Sequence, residues 1–158
     1  MFIKRLILSL FILSAISFAQ HTLPSDNYRI TERLGQQWNN NAWENNDLFS
    51  YSYDINNNLV EYLDQSWSTE DVLVNVYRQS FNYDENNNMI EYLEQEWGDS
   101  IWVNSTIRTY TYNEIGNMIE EIGQIWYDIE WVNSALTIYN YDTNNFLIEE
   151  NGYWWSDN

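Results

Sequence analysis

The sequence contains no cysteine, only one proline and only one histidine. Without cysteine there is neither a disulfide framework nor a thiolate metal site, so packing and backbone hydrogen bonds must hold the fold. His21 stands alone, which excludes a histidine-based metal centre or nucleophile relay. Positive charge is also scarce, because six Lys and Arg oppose 24 Asp and Glu and leave a net charge of −18. Such a chain repels nucleic acid and anionic lipid, so neither is an expected partner.

Residues 1–19 have the layout of a secretory signal peptide. Lys4 and Arg5 precede an apolar run, and small residues lie at Ser17 and Ala19 before Gln20. This order predicts cleavage after Ala19. The apolar run is short for a membrane span and no second one follows, so we expect no membrane segment after cleavage. The mature chain, with four arginines, 24 acids and a charge of −20, is expected to be secreted or held at the cell surface, or periplasmic without a further sorting signal.

A repeat of 29 or 30 residues organises the rest of the chain. Each copy has a Trp, a Tyr followed by Asp or Asn, a Glu eight residues after that Tyr, and an Asn eight residues before it. The Trp column is Trp38, Trp67, Trp97, Trp126 and Trp155, and the Glu column is Glu61, Glu91, Glu120 and Glu149. This spacing divides a repeat domain, 38–158, into copies 38–66, 67–96, 97–125 and 126–154 and the start of a fifth. Residues 20–37 are then a leader or N-terminal cap.

The third copy predicts a β-hairpin. Its segment from Trp102 to Tyr112 is rich in β-branched and aromatic residues, a turn with Gly116 follows, and a second strand begins at Met118. Strict alternation places Trp102, Asn104, Arg108 and Tyr112 on one face. We expect the face that is most alike between copies to pack against the neighbouring hairpins.

The predicted fold class is therefore all-β, with tandem antiparallel β-hairpin repeats forming a meander, a curled sheet or a β-spiral. Eight or nine strands strain an open twisted sheet, so curling is the expected form.

Two kinds of known repeat are similar to this pattern. The segment Tyr110-Thr-Tyr-Asn-Glu-Ile-Gly-Asn117 resembles the YD repeat of Rhs-type proteins, although the other copies have Asn57, Asn87 and Asn145 in place of the Gly. The Trp-x4-Trp-x-Asn segment is similar to Trp-rich tandem repeats of secreted Bacteroidota proteins. The resemblance covers about residues 36–155 and implies β-hairpins that build a spiral sheet as a scaffold or shell. With few copies and no sorting domain, the sequence is expected to be a segment of a larger protein.

The Glu column is the one pattern that invites a catalytic interpretation. Glycoside hydrolysis needs two carboxylates in unlike environments at one place, whereas four equivalent Glu residues give the reverse. We interpret the column as a structural ladder held by Asn and Gln on neighbouring strands. No catalytic residue and no enzyme activity are expected.

Three Asn-rich turns begin with Asp54, Asp84 and Asp142 and resemble fragments of an oxygen-rich calcium loop. They lack the closing acid at a fixed place. Asn and Asp side chains that bond to their own turn are the favoured interpretation. Calcium remains open as the one cofactor, with these aspartates as its ligands.

The aromatic content of 18% is too high for a disordered acidic chain. The repeated Trp column is favoured as core between hairpins. Rings outside the repeated columns are the better candidates for exposure, and for stacking against a sugar: Tyr62, Tyr92, Tyr127 and Trp154.

These features predict a non-catalytic exported repeat scaffold that belongs to a larger cell-surface or secreted protein. One alternative is a carbohydrate-binding module that uses exposed Trp and Tyr. A second is a calcium-dependent adhesion module. The expected partners are polysaccharide or another surface protein.

Overall fold

The computed structural model describes Leu8–Ser9 and residues 29–156. Apart from Leu8–Ser9, the predicted signal peptide lies outside the described residues, as does the first part of the leader with His21 and Pro24. The strands are β1 (Leu8–Ser9), β2 (Glu32–Asn39), β3 (Ala42–Tyr53), β4 (Leu59–Trp67), β5 (Leu73–Tyr83), β6 (Met89–Gly98), β7 (Ile101–Tyr112), β8 (Met118–Tyr127), β9 (Glu130–Tyr141) and β10 (Leu147–Trp154). Within these ranges no helix is long and apolar enough to cross a membrane.

All ten strands belong to one sheet, and their spatial order is their order in the chain. The two residues of β1 pair in parallel with Arg33 and Leu34, and each strand from β2 to β10 pairs antiparallel with its neighbours in sequence. The all-β antiparallel meander is therefore confirmed. The predicted leader contributes residues 32–37 of β2, the first antiparallel strand, and copy one contributes the rest of this strand.

The turns that join each hairpin to the next lie at one end of the strands. They are short because their residues adopt left-handed backbone conformations. Asn40 and Asn41 have φ of 48° and 65°, and Asp99 and Ser100 have φ of 51° and 67°. Two successive positive φ values define the type I′ turn, whose twist matches that of the strands it joins. Copy two has a longer turn between Trp67 and Leu73, which accommodates the extra residue of that copy.

The turns within each hairpin lie at the opposite end of the strands and contain the Tyr-Asp motif. Asp84 begins one of them, and its Oδ1 accepts backbone hydrogen bonds from Asn86 at 2.9 Å and Asn88 at 2.8 Å. Asn87 has a φ of 64°, and Gly116 at the same place in copy three has a φ of 85°. Gly and Asn interchange at this position because both tolerate the left-handed region.

A β-bulge interrupts the alternation where each hairpin meets the next. In β7, Asn104 pairs with Gln95 whereas Thr106 pairs with Glu94, so that Ser105 is an extra residue. Such a bulge changes the face on which the following side chains lie. The predicted single face from Trp102 to Tyr112 is therefore wrong, since Trp102 and Asn104 lie on one side and Thr106, Arg108 and Tyr110 on the other.

We name the two sides by their rings. The Trp face contains the Trp column up to Trp126, together with the Gln and Glu columns. The Tyr face contains Tyr62, Tyr77 and Tyr92.

The expectation of a curled sheet is wrong. The sheet is open, since β2 and β10 each pair only with strands adjacent in sequence. Aromatic rings occupy both faces, for example Trp97 on one and Tyr92 on the other, so neither face is the smaller one towards which the sheet would bend. Among residues 29–156 no hydrophobic side chain is fully buried. In the Trp column Trp67, Trp97 and Trp126 are half-buried, and the two end members Trp38 and Trp155 are exposed, so the column is a surface feature rather than core.

Candidate ligand-binding faces

The Trp face is built from pairs that join one hairpin to the next. Trp97 and Trp102 meet edge to face with ring centroids 5.0 Å apart, and the equivalent pairs Trp38–Trp43 and Trp126–Trp131 have centroids 5.1 Å and 5.0 Å apart. In copy two Leu73 takes the place of the second Trp. The column therefore links neighbouring hairpins laterally within the sheet, and Trp155 lies just beyond β10 with its N–H bonded to the Ser134 carbonyl.

Amide side chains repeat this linkage two residues away from the ring pair on each strand. A Gln on each incoming strand donates to the Oδ1 of the Asn on the next strand at 2.8–2.9 Å, in the pairs Gln36–Asn45, Gln65–Asn75, Gln95–Asn104 and Gln124–Asn133. Arg78 reinforces one of these sites, because its Nε donates to Gln95 Oε1 at 3.0 Å and its guanidinium lies 4.6 Å from the Trp102 ring centroid.

The Glu column lies on the Trp face near the Tyr-Asp turns. Glu91 accepts a 2.8 Å hydrogen bond from Asn82, and Glu149 accepts a 2.9 Å bond from Asn140. Glu61 pairs in register with Ser52 and Glu120 with Thr111, so the four carboxylates occupy equivalent places. Their partners are Asn side chains for Glu91 and Glu149, and no Gln bonds to the column within residues 29–156.

The repeated Tyr contributes a third linkage. Its hydroxyl reaches back to the preceding hairpin or to the residues before the first one, and donates to a backbone carbonyl. The pairs are Tyr53 to Ile30 (3.2 Å), Tyr83 to Leu59 (2.9 Å), Tyr112 to Met89 (2.8 Å) and Tyr141 to Met118 (2.8 Å). The repeated residues are therefore occupied mainly in joining the copies.

The Tyr face has a strip of half-buried rings across β3 to β6. Tyr62 stacks with Phe49 at 6.2 Å between centroids, and contacts Tyr51 at 5.3 Å and Tyr77 at 6.4 Å. Tyr92 continues the strip and contacts Phe81 at 5.4 Å. The predicted candidates Tyr62 and Tyr92 thus belong to one continuous aromatic surface.

A polar cluster around Glu94 lies within this strip and joins Tyr77 to Tyr92. Its Oε1 accepts hydrogen bonds from the hydroxyls of Tyr77, at 2.5 Å, and Tyr92, while Gln79 donates to both hydroxyls. Burial raises the pKa of the Glu94 carboxyl, but the hydrogen bonds from Tyr77, Tyr92 and Gln79 outweigh it and hold that pKa below its usual range. Burial and the bond to Glu94 raise the pKa of Tyr92, so this group stays a hydrogen-bond donor.

Tyr62 is also held in its neutral form. Burial, followed by the nearby charge of Asp64, raises the pKa of its hydroxyl to about 12. A neutral phenol within a half-buried aromatic surface combines apolar area with a hydroxyl donor.

The other two predicted candidates lie elsewhere. Tyr127 is 70% exposed at the turn between β8 and β9, and Trp154 is 79% exposed on β10. They do not contact the aromatic strip. Sequence reasoning missed Tyr77 and Gln79 because the bulge moves the first strand of the hairpin to the other face after its repeated Asn. It missed their partner Glu94 on β6 for the same reason, since the cluster forms only when Tyr77 and Gln79 lie on the Tyr face.

The carboxylates of the predicted calcium ligands accept hydrogen bonds within their own turns. Asp54 Oδ1 accepts the N–H of Asn58 at 2.8 Å, and Asp142 Oδ1 accepts the N–H groups of Asn144 and Phe146 at 2.8 Å and 2.9 Å. In the described part of the chain, no group of three or more His, Cys, Asp or Glu side chains could hold a metal ion. These contacts correspond to the turn chemistry favoured from the sequence.

Comparison with known proteins gives a likeness of fold. No protein-family model and no curated protein matches the chain. A solved protein of unknown function from Bacteroides fragilis superposes with a TM-score of 0.53 and 17% identity, over 70% of this chain and 81% of that one. Two DUF3836 family proteins also match. The one from Parabacteroides distasonis has 20% identity over 57% of this chain and 91% of that one, with a TM-score of 0.38. The one from Bacteroides vulgatus has 17% identity over 68% of this chain and 98% of that one, with a TM-score of 0.40. At 17% identity, what this chain shares with the Bacteroides fragilis protein is its fold.

Proposed function

We propose that the mature chain is a non-catalytic, exported repeat scaffold that presents the faces of one open sheet to other molecules at or beyond the cell surface. The observation that carries this proposal is the use of the repeated side chains. At each of four successive junctions, a Gln–Asn hydrogen bond and a Tyr hydroxyl tie one hairpin to the next, or to the segment before the first. Residues used in this way maintain an architecture and leave the variable positions for recognition.

The Glu column supports the non-catalytic interpretation. Equivalent carboxylates lie on strands two apart, which corresponds to about 9–10 Å from the spacing of paired strands. Glu91 and Glu149 each have an Asn partner of the same kind. Catalytic carboxylates need environments that push their pKa values apart, and a repeated environment does not provide this.

Export is tested by isolating the protein from cell fractions and sequencing its N-terminus. We expect Gln20 as the first residue of material outside the cytoplasm. Full-length protein that begins at Met1 and stays in the cytoplasm would contradict export.

The scaffold itself is tested by deleting one complete copy, residues 97–125. Because Gln95 and Gln124 each end one copy and face an Asn in the next, the deletion brings Gln95 opposite Asn133. We expect a folded, shorter sheet with β-rich circular dichroism and a lower melting temperature. As a control, deletion of half a copy, residues 97–111, breaks the repeat period and removes Asn104, so that Gln95 loses its partner. Equal loss of structure in both proteins would contradict a modular scaffold.

Carbohydrate binding is the second candidate, and the aromatic strip on the Tyr face favours it. Rings on a rigid sheet beside Gln79 and Glu94 offer stacking surfaces together with hydrogen-bonding groups. Titration of the intrinsic Tyr and Trp fluorescence with a glycan panel, with and without calcium, tests it, because the strip itself consists of Tyr and Phe. Saturable quenching by one glycan supports a binding module, and quenching that needs calcium supports calcium-dependent adhesion. Flat traces throughout would remove the binding candidate and leave the scaffold.

A further inference from the structure

Strands β7 to β10 contain a shallow trough on the Tyr face, with a volume of about 500 Å³. Its floor includes Gly123 on β8 and Ala135 and Thr137 on β9. Arg108 borders it from β7 and Trp154 from β10. Register places these groups in one row, because Arg108 pairs with Gly123, Gly123 with Ala135, and Ala135 with Trp154.

The trough exists because small residues replace large ones at repeated positions. Gly123 occupies the place of Asp64 in copy one and Glu94 in copy two, three residues after the column Glu. Ala135 occupies the place of Tyr77 in copy two, two residues after the column Asn. Glycine weakens the interior of a strand and often marks a place that a ligand approaches closely. Gly123 therefore lowers the stability of β8, and together with Ala135 it leaves open space above the sheet.

Trp154 forms the aromatic wall, and Gly152 determines how it lies. A Cβ atom added at Gly152 would come within 3.1 Å of the indole Cη2. The indole therefore lies along β10 over a position with no side chain, while 79% of Trp154 remains exposed. An exposed indole beside an open floor offers a stacking surface to the apolar face of a sugar ring.

The opposite side of the trough is polar. Arg108 Nη1 lies 3.1 Å from Glu121 Oε1, and the Tyr139 hydroxyl donates to Glu121 Oε2 at 3.5 Å. This group offers both donors and acceptors, which suits the hydroxyls of a carbohydrate. Glu121 and Glu150 outnumber Arg108 around the trough, and the whole chain is strongly acidic, so an anionic ligand is disfavoured.

We propose that this trough is a binding site for a neutral saccharide, which stacks on Trp154 and bonds through its hydroxyls to Arg108, Glu121 and Tyr139. The proposal rests on the carbohydrate-binding candidate above and assigns it to the C-terminal half of the Tyr face.

The test is isothermal titration calorimetry of the whole mature chain with four soluble neutral glycans: laminarin, xylan, galactomannan and amylose. We expect at least one to bind, and Trp154→Ala to weaken that binding at least tenfold. Trp155→Ala is the matched control, because Trp155 is also exposed but does not line the trough. Ala135→Tyr fills the floor with the residue that copy two has at this place, and should abolish binding while leaving the melting temperature within a few degrees of wild type.

The outcomes separate the two proposals. Loss of binding in the Trp154 and Ala135 variants, with retention in the Trp155 variant, supports the trough. Binding that survives both substitutions but is lost in Tyr62→Ala or Tyr92→Ala would overturn the trough and keep carbohydrate binding on the aromatic strip. Absence of binding to all four glycans at their solubility limit would overturn both and leave the scaffold proposal intact.

Discussion

Gln65 on β4 donates a 2.8 Å hydrogen bond to the Oδ1 of Asn75 on β5, and both side chains are half-buried on the Trp face. The bond joins the end of copy one to the start of copy two. The same bond recurs at the three other junctions between neighbouring strands. This contact explains why Gln and Asn are repeated.

We expect a double-mutant cycle on Gln65→Ala and Asn75→Ala to give a coupling free energy of about 1 kcal/mol, the usual net contribution of a protein hydrogen bond. Urea denaturation followed by circular dichroism measures it. The adjacent pair Ser66 and Val74 provides a control cycle with coupling near zero, since it lies directly opposite without a side-chain hydrogen bond. Equal coupling in both cycles would mean that the amide bond contributes nothing specific.

Trp97→Ala should lower the free energy of unfolding by about 2 kcal/mol, because it removes one aromatic pair and a half-buried side chain. A fully buried Trp would cost about 3–5 kcal/mol. Trp154→Ala, at a position that is 79% exposed, should change stability by less than about 0.5 kcal/mol. A loss of 4 kcal/mol or more at Trp97, against roughly 2 expected, would show that another layer covers the Trp face.

Asp84→Asn should remove part of the acid sensitivity of the fold while keeping the turn. The amide of Asn88 holds the pKa of the Asp84 carboxyl below its usual range. A group whose pKa is lower in the folded state adds stability above its unfolded pKa, and loses it as the pH falls through the folded value. Thermal melts from about pH 5 to pH 2 should therefore fall less steeply for the variant.

Copy three supplies a natural precedent for this change, because Asn113 accepts the same backbone hydrogen bond from Asn117, at 2.9 Å. Asn113→Asp is the reverse control and should add acid sensitivity. Identical pH profiles for wild type and both variants would contradict a role of the carboxylate charge in the turn.

Tyr62 should ionise late in an alkaline titration. Its pKa of about 12 lies above the ordinary value of 10.0, so the neutral phenol is favoured in the folded state. The corresponding stability is complete below pH 10 and is lost as the pH rises towards 12. Absorbance at 295 nm should show one fewer late-titrating group in Tyr62→Phe. An unchanged late phase in this variant would assign it to other tyrosines, and Tyr92→Phe would then identify one of them.

The hairpin strands and the turns are readable from the sequence because they depend on local chemistry. Asp84 marks a turn because its side chain bonds to the turn backbone, and Gly116 marks one because it has no side chain to oppose a positive φ. The alternation of apolar and polar residues marks the strands. The bulge at Ser105 is different, since an extra residue leaves no compositional mark and is fixed only by pairing with the neighbouring strand. That one residue decides which face carries Arg108. The trough was hidden for the same reason, although Gly123 and Ala135 depart visibly from their columns.

The absence of curling was also not predictable from strand number. Whether a sheet bends depends on the relative bulk of its two faces, and the bulges determine which rings lie on each. Tyr77 and Phe81 lie on the Tyr face and Trp97 lies on the Trp face, so both faces carry bulky aromatic side chains. The partial exposure of the Trp column follows from this, since no second layer covers it among the described residues.

The in-order meander has a consequence for how the protein reaches its native state. From β2 to β10, every pairing joins strands that follow one another in the chain. The chain therefore closes only short loops during folding, a low contact order that is unusual for an all-β protein and favours rapid folding. Structure can start at any hairpin and spread in both directions. Gene duplication of one unit would lengthen the sheet without disturbing the contacts that already exist.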